Sequence, residues 1–236
     1  MRAVVVDNEP HAREELEALL RETGEVTVVG ACANAIQALR TLRATRPDVL
    51  FVDIHMPKVD GFQLVGMIEP ELMPCVVFVT AHDAYALKAF DENAIDYILK
   101  PVQADRLSRA LDKVKRFLGE GRRASYPAPP LERIPCVSAQ GIKLVASSEV
   151  EAVRSSESGV HLVTARGEFL TELTLTLLEA RVPHMVRCHK QYLVNLTLID
   201  EILRTDPAAA TLRTRSGKQV PVSRRFLAGL KERLGI

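Results

Sequence analysis

The sequence contains few cysteines and no long apolar run. Its four cysteines lie far apart, and no two of them have the short spacing that zinc sites and redox motifs require. They are Cys32, Cys75, Cys136 and Cys188. The start of the chain reaches Asp7 after three valines, a pattern that fits neither a signal-peptide core nor a membrane span of about 20 apolar residues. We therefore expect a cytoplasmic protein with no direct membrane insertion.

One cysteine has basic neighbours on both sides. Arg187, His189 and Lys190 flank Cys188, and nearby cations lower the pKa of a thiol. Packing in the core and redox sensing are the two alternatives for this residue.

Charge is divided unevenly along a chain that is almost neutral overall. Residues 1–118 hold 14 Lys and Arg against 18 Asp and Glu, whereas residues 134–236 hold 14 against 10. The stretch between them is rich in proline, which lacks the N–H that regular structure needs, and in glycine, which weakens it. A length of 236 residues suits two domains. We predict a first domain over 2–117, a linker over 118–133 and a basic second domain over 134–236.

Short β-branched runs alternate with helical repeats in the first half. Runs that end at Val6, Val52 and Val79 are typical of strands buried on both faces of a parallel sheet. Val26 to Ala31 and Tyr97 to Leu99 are weaker candidates. Apolar residues between these runs recur at helical spacing. The pattern predicts five βα units and an α/β doubly wound sheet.

Polar residues follow several of these predicted strands. They are Asp7, Asn8, Glu9, Asp53, Thr80 and Lys100. Ligands of such sheets bind beyond the carboxyl ends of the strands, and clustered carboxylates there favour a bound hard cation such as Mg²⁺. An aspartate can attack phosphorus when a metal and a cation neutralise the phosphoryl oxygens. We predict that Asp53 is this nucleophile, with Lys100 as the cation and Thr80 as a hydroxyl donor.

Each of these residues also has an ordinary structural role. Asp7 or Glu9 can be a charge at a helix N-terminus, Thr80 a helix cap, and Lys100 a solvated cation. Only the combination at successive strand ends favours the phosphoryl site. His55 and His82 are interpreted as surface histidines, with tuning of that site as the alternative.

Four segments together resemble the receiver domain of bacterial response regulators. They are Val4 to Pro10, Val52 to Pro57 with Gly61, Val79 to Ala81, and Asp96 to Pro101. The resemblance implies the flavodoxin-like fold, phosphorylation of Asp53 by a sensor histidine kinase, and a switch formed by Thr80 and Tyr97. It also implies that the backbone carbonyl of His55 completes the magnesium shell of Asp7, Asn8 and Asp53, with Glu9 as a further candidate ligand.

Asn8 departs from the receiver pattern. The family usually has an aspartate that ligates the metal at this position. Asparagine keeps an oxygen ligand but removes a negative charge, so we expect weaker magnesium binding and altered phosphorylation rates. A receiver that works without phosphorylation is the alternative.

The second half has the pattern of a mainly β domain. Two hairpins are predicted, one around Arg166-Gly167 and one around Ser216 to Lys218. Helices are predicted over Thr174 to Ala180 and after Ser223, which we interpret as an N-cap. No helix-turn-helix pattern, zinc spacing or RNA-binding aromatic signature is present, so any nucleic-acid contact is expected from loops.

Several basic residues occupy predicted loops of this half. They are Arg187, His189, Lys190, Arg215, Arg224 and Arg225. Such side chains contact phosphates and can read base edges, although a solvated basic face is the structural alternative. A receiver joined to a protein-binding or RNA-binding β domain is a further alternative.

Val186 to Asn195 and Val220 to Leu227 resemble the paired signatures of the LytTR DNA-binding domain. This resemblance implies a β fold whose loops enter successive major grooves of double-stranded DNA. By position, His189, Lys190 and Arg225 fall where family members contact DNA, and Ser158 or Gly159 lies near a third contacting loop.

Phe90 to Pro101 and Phe169 to Thr174, together with the two C-terminal signatures, resemble the BtsR branch of the LytR/AlgR response regulators. That branch implies a DNA-binding transcriptional regulator, not an enzyme, with a LytS-like membrane-bound sensor histidine kinase as phosphoryl donor. We expect phosphorylation of Asp53 to alter a receiver surface near Ala84 to Pro101 that pairs with a second subunit. The resulting homodimer would hold two LytTR domains on adjacent promoter half-sites. A phosphohydrolase with an aspartate nucleophile is the rival, but it needs a second acid two residues later, where this chain has His55.

Overall fold

The structure is a computed structural model that describes most of the chain. The described residues are 1–82, 93–121, 124–126, 129–206 and 209–235. The chain divides into two compact units, Met1–Ala128 and Pro129–Ile236.

The first unit contains a five-stranded parallel sheet with the strand order β2-β1-β3-β4-β5. Its strands are β1 Arg2–Val6, β2 Thr27–Cys32, β3 Val49–Val52, β4 Cys75–Thr80 and β5 Asp96–Leu99. Its described helices are α1 Pro10–Glu22, α2 Ala35–Thr45, α3 Gly61–Gly66 and α4 Ala104–Gly119. This order confirms the predicted doubly wound fold. Most of the connection between β4 and β5, and with it most of the predicted subunit surface from Ala84, lies outside the described residues.

Burial on both faces explains why the central strands read as continuous apolar runs. All residues of β3 and β4 are buried, and the two strands pair in parallel from Val49 opposite Cys75 to Val52 opposite Phe78. Helix α4 covers one face with apolar side chains spaced three or four residues apart. Those side chains are Leu107, Ala110, Leu111 and Val114.

Part of the predicted linker packs on the first unit. The ring of Tyr126 is buried, and its hydroxyl oxygen accepts the backbone N–H of Val76 at 3.0 Å. Asn93 donates from Nδ2 to the carbonyl oxygen of Ser125 at 3.3 Å. The aromatic residue and the strand N–H satisfy each other, a contact that proline and glycine content does not indicate.

A buried carboxylate joins β5 to α4. Asp96 accepts two hydrogen bonds from Arg106, at 2.7 and 2.8 Å, and one from Lys113 at 2.9 Å. It also accepts the backbone N–H of Tyr97 at 3.0 Å. Burial raises the pKa of Asp96, but the bonds from these cations outweigh it and hold the pKa below its usual value.

We expect Asp96→Asn to lower the free energy of unfolding by about 2 kcal/mol at neutral pH, because two cations lose their buried partner. A carboxyl group whose pKa is lowered by folding contributes stability above its unfolded pKa of about 3.9, and that contribution disappears as the pH falls through the folded value. The urea midpoints of the wild type and of Asp96→Asn should therefore converge in acid. The exposed pair Asp105 and Arg109 provides a control, since Asp105→Asn should leave the midpoint unchanged. A constant difference at every pH would contradict this account.

The second unit contains two antiparallel sheets. The first has the strand order β11-β12-β8-β9-β10-β6-β7 and the second the order β13-β14-β15. The strands are β6 Arg133–Ser138, β7 Gly141–Ala146, β8 Val150–Ser156, β9 Gly159–Thr164, β10 Gly167–Thr171, β11 Met185–His189, β12 Tyr192–Asn195, β13 Ile199–Asp206, β14 Ala209–Thr214 and β15 Gln219–Val222. The helices are α5 Leu175–Arg181 and α6 Arg224–Leu234. Both predicted hairpins and both predicted helices are confirmed.

The two sheets share a core that α6 closes. Apolar residues of β8, β11, β14 and β15 meet Leu230 of α6 in one buried cluster. Asn195 supports the scaffold, because its Nδ2 donates to the carbonyl oxygen of Val150 at 3.1 Å. Ser223 occupies the N-cap position of α6, but its side chain makes no capping hydrogen bond. The prediction that Ser223 is the N-cap of this helix is confirmed.

Candidate functional site

Two carboxylates and one ammonium group meet at the carboxyl ends of β1, β3 and β5. Nζ of Lys100 lies 2.6 Å from Oδ2 of Asp7 and 3.2 Å from Oδ2 of Asp53. The parallel register produces this meeting, because Val6 lies opposite Val52 and each is followed by an aspartate. Asp7 and Asp53 are buried. The backbone N–H of Lys100 is also held, by the carbonyl oxygen of Thr80 at 2.9 Å.

Lys100 stays charged in this environment. Burial lowers its pKa, but the hydrogen bond that Lys100 donates to Asp7 and the charge of Asp53 outweigh burial, so the pKa of Lys100 is raised. A fixed positive charge against the free oxygen of a buried aspartate is the arrangement that a phosphoryl group on that oxygen needs.

Two polar atoms near these strand ends are buried without a hydrogen-bond partner among the described residues. They are Oδ1 of Asn8 and Oγ1 of Thr80. A buried oxygen without a donor is costly, so both positions are suited to an added ligand. Glu9 differs, because its side chain is exposed and only its backbone takes part, donating to Oδ1 of Asp7 at 2.8 Å.

The donor set fits a hard cation. Asp7 and Asp53 provide carboxylate oxygens, and Asn8 provides the unpartnered amide oxygen. Within the described residues, no group of three or more His, Cys, Asp or Glu side chains is placed to hold a metal. Any metal shell here therefore depends on amide, backbone and water oxygens besides the two aspartates.

The rim of the site contains two histidines and the buried ring of Tyr97. The rings of His55 and His82 lie with centroids 4.2 Å apart, and both residues are exposed. The hydroxyl of Tyr97 donates to the carbonyl oxygen of His82, so this ring is turned inward. A cleft of about 380 Å³ opens beside Asn8 and His55 and is also lined by Asp60 and Phe62.

We expect Gly61→Ala to disturb the aspartate directly. A Cβ at Gly61 would lie 2.5 Å from the backbone oxygen of Asp53 and 3.0 Å from Cα of Ile54. The backbone must shift, and the expected loss in urea unfolding is about 2 kcal/mol, as for other overpacked sites. Gly119→Ala is the matched control, because a Cβ there meets nothing within 4 Å and alanine favours a helix. Equal stability of the two variants would show that the close approach of Gly61 to the backbone after β3 does not contribute to stability.

In the second unit, the turn between β11 and β12 places basic side chains at one end of the sheet. This 189–191 turn contains His189, Lys190 and Gln191, and the last two are exposed. The N–H of Gln191 donates to Nδ1 of His189 at 3.2 Å. In a neutral ring the proton is then on Nε2, which is left as a donor for a phosphate or a base edge.

Two further loops lie beside the 189–191 turn. The N–H of Ser155 donates to the carbonyl oxygen of Gln191 at 2.8 Å, which brings in the end of β8 and the following turn at Ser158. The N–H of Ser223 donates to the carbonyl oxygen of Cys188 at 3.0 Å, so the exposed Arg224 and Arg225 begin α6 next to the turn. Three loops are thus brought together at one edge.

The structure separates Arg215 from this group. Its N–H donates to the carbonyl oxygen of Leu198, and the adjacent Ser216 binds Glu151 near the start of β8. The 189–191 turn lies near the end of β8, three or more residues away along the strand. At about 3.3 Å per residue, Arg215 is on the order of 10 Å or more from the other candidate contacts.

The four cysteines are buried and free. Burial raises the pKa of Cys188 to about 12 despite its basic neighbours. The thiol therefore stays protonated, which favours packing over redox sensing. Among the described helices, none has both the length and the apolar character of a membrane span.

Comparison with known proteins agrees with this division of the chain. Residues 3–112 match the model of the response regulator receiver domain, and residues 140–235 match that of the LytTr DNA-binding domain. An uncharacterized response regulatory protein of Vibrio cholerae serotype O1 is 45% identical over 238 residues, covering 100% of this chain and 99% of the relative. The transcriptional regulatory protein BtsR of Escherichia coli K12 is 43% identical over 239 residues, covering 100% of both chains.

A solved structure of the response regulatory domain of protein mrkE from Klebsiella pneumoniae is 31% identical, covers 51% of this chain and 99% of that chain, and has a TM-score of 0.46. The full-length relatives and the two domain matches confirm the family resemblance found in the sequence. The chain belongs to the response regulators that join a receiver domain to a LytTR DNA-binding domain, and it is therefore a DNA-binding regulator rather than an enzyme.

Proposed function

We propose that Asp53 accepts a phosphoryl group from a sensor histidine kinase and that this change controls the binding of the LytTR domain to promoter DNA. The observation that carries the proposal is the position of Lys100, whose ammonium group lies against both Asp7 and Asp53. As Oδ2 of Asp53 bonds to phosphorus, the P–N bond to the phosphohistidine of the kinase breaks and the imidazole leaves with the electron pair. The charge of Lys100 stabilises the anionic oxygens of the transferred group.

We infer that Asp7, Asn8, Asp53 and the backbone carbonyl of His55 would hold Mg²⁺ here, with Glu9 able to reach it through water. When bound, the ion neutralises phosphoryl oxygens that Lys100 alone cannot cover. Asn8 lowers the negative charge of this shell by one, which is expected to weaken affinity while keeping an oxygen ligand. The side chain of Glu9 is exposed and takes no part in the hydrogen bond that its backbone N–H donates to Asp7.

The proposed switch uses two buried groups. Oγ1 of Thr80 has no partner among the described residues and is suited to donate to a phosphoryl oxygen. Movement of Thr80 toward that oxygen leaves space beside β4, and Tyr97 on the adjacent strand is already turned inward. Phosphorylation then favours one of two arrangements of this region, as in other switches driven by a new anion.

The proposed DNA surface is the edge formed by His189, Lys190, Arg224 and Arg225. Each is placed at a turn or helix start that the backbone bonds of Ser155 and Ser223 hold in register. Phosphate contacts position such a surface, and the base-reading groups are His189 and the exposed Gln191 and Lys190. Arg215 remains a separate candidate, suited to phosphate beyond this edge.

We further propose a LytS-like membrane-bound kinase as the donor and a homodimer as the form that occupies two adjacent half-sites. The full-length relative named transcriptional regulatory protein BtsR supports a regulator of transcription, and we propose the cytoplasm as its location. Pairing of receivers raises the effective concentration of the second LytTR domain without a new DNA contact.

The test is DNA binding at fixed salt, with and without a small phosphodonor and Mg²⁺. The probe is a duplex that the wild-type chain selects from a random-sequence pool. We expect the donor to lower Kd about tenfold or more, the range of a typical coupling between two sites. A Kd that ignores the donor while the acid-labile phosphoryl group is present on the protein would leave DNA binding intact and remove the switch.

A further inference from the structure

Glu179 lies where a negative charge is unfavourable. It is in the last turn of α5, where the carbonyl end of the helix dipole repels an anion. It also belongs to a domain that binds a polyanion, toward which every acidic side chain adds repulsion. A cationic or N–H partner is needed to stabilise a carboxylate in such a position.

The partner is Arg187, which Glu179 binds twice. Oε1 of Glu179 accepts the backbone N–H of Arg187 at 3.2 Å, and Oε2 accepts Nε of the same residue at 3.0 Å. The guanidinium group then donates from Nη1 to the carbonyl oxygen of Lys190 at 3.3 Å. One side chain thus connects the carboxylate to the tip of the 189–191 turn.

Arg187 has little surface left for DNA. Its side chain is 18% exposed, and two of its nitrogens, Nε and Nη1, donate to a carboxylate and to a backbone carbonyl. Lys190 and Gln191 are exposed on the turn that this arginine holds. The sequence pattern placed Arg187 among the DNA contacts, whereas its hydrogen bonds suit a supporting role.

We propose that Glu179 and Arg187 are positioning residues for DNA binding, which hold the 189–191 turn in the conformation in which His189 and Lys190 meet DNA. The inference rests on the proposed function of that turn. A turn that is already ordered loses less conformational entropy on binding, so its support appears as affinity. The charge-assisted bonds between Glu179 and Arg187 are the strong members of this support.

Loss of the Glu179 charge is expected to change DNA affinity in the direction opposite to that of an ordinary acidic residue. Removal of an acid from a DNA-binding domain normally tightens binding, because repulsion of the phosphates falls. Removal of Glu179 is expected to weaken binding, because the turn loses its support. We expect Glu179→Ala in the full-length chain to raise Kd about tenfold, a factor typical of one lost charged contact.

The experiment measures Kd for the selected duplex over a range of salt concentrations. Glu149→Ala is the matched control, since Glu149 is an acid of the same domain, paired with the exposed Arg166 at the start of β8. Its Kd should be unchanged or lower. The double variant Glu179→Ala/Arg187→Ala should bind no more weakly than Arg187→Ala alone, because both changes remove one connected unit. Glu179→Gln keeps one acceptor oxygen and should lie between the wild type and Glu179→Ala.

The melting temperature of each variant shows that it is folded, and Glu179→Gln with the double variant decides the matter if Glu179→Ala does not fold. Unchanged or tighter binding by Glu179→Ala, or losses that add in the double variant, overturns the positioning role. Lys190→Ala distinguishes failure of the proposed DNA surface from failure of the positioning role. If it weakens binding while Glu179→Ala does not, the DNA surface stands and only the positioning role falls; if Lys190→Ala has no effect, the surface falls and the positioning role with it.

Discussion

Asp53→Asn should abolish incorporation of the phosphoryl group and the tightening of DNA binding that follows it. Asparagine has nearly the size of aspartate but its amide is a poor nucleophile toward phosphorus. The oxygen that lies 3.2 Å from Nζ of Lys100 is then lost or neutral. The measurement is the intact mass of the protein after treatment with a phosphodonor and Mg²⁺, followed by Kd for the selected duplex. The variant should keep the Kd of the untreated wild type.

Asp60→Asn is the control for this substitution. Asp60 lies on the same side of β3 and lines the adjacent cleft, where its carboxylate caps α3 through the N–H of Gln63. Asparagine caps a helix about as well as aspartate, so this variant should keep the stability of the wild type and should leave phosphorylation in place. Phosphoryl transfer to Asp53→Asn at the wild-type level would move the acceptor to another residue and contradict the proposed site.

The strand-end cluster is the part of the site that a sequence can predict well. Fully buried parallel strands read as apolar runs, so their ends are visible, and parallel pairing brings those ends to one edge. The structure places Asp7, Asp53 and Lys100 within ion-pair distance for this reason. The fold of both halves follows from the same kind of pattern, with element boundaries that differ by one or two residues.

The partners of charged residues are the part that the pattern does not show. A basic loop is visible in the sequence, but the end of the strand at which it lies depends on the register between strands. Arg215 is as basic as Arg225, yet strand pairing places Arg215 near the start of β8. Arg225 lies instead in the first turn of α6, whose N-cap Ser223 donates to the carbonyl oxygen of Cys188. In the same way, nothing in the run around Asp96 reveals that Arg106 and Lys113 meet it from a helix.

Burial also changes how a local charge pattern is interpreted. The cations around Cys188 favour a reactive thiol in the sequence, but alternation along β11 turns this side chain into the core and its neighbours outward. The pKa of Cys188 is raised to about 12 because burial outweighs those charges. Sequence neighbours are thus a poor guide to electrostatics in a strand, since successive side chains face opposite sides of the sheet.

The double substitution Lys190→Ala/Arg225→Ala should weaken DNA binding about 100-fold at fixed salt, since it removes one charged contact from each of two loops. The slope of log Kd against log salt should fall by about 2 for each bound subunit, because each lost phosphate contact releases about one counterion fewer. Both side chains are exposed and project from backbone that other bonds hold, so the fold should be retained.

Lys143→Ala/Arg166→Ala is the matched control, because it removes the same charge from the same domain. Lys143 lies on β7, at the edge of the seven-stranded sheet opposite β11, where its ammonium group packs 3.7 Å from the ring of Phe169. Arg166 follows β9 and lies near the start of β8, whereas the 189–191 turn lies near the end of that strand. If the effect on Kd comes only from net charge, the two double variants will have equal slopes. If the three loops form the DNA surface, the control will keep the wild-type slope, and the difference between the two slopes will count the phosphates that this edge holds.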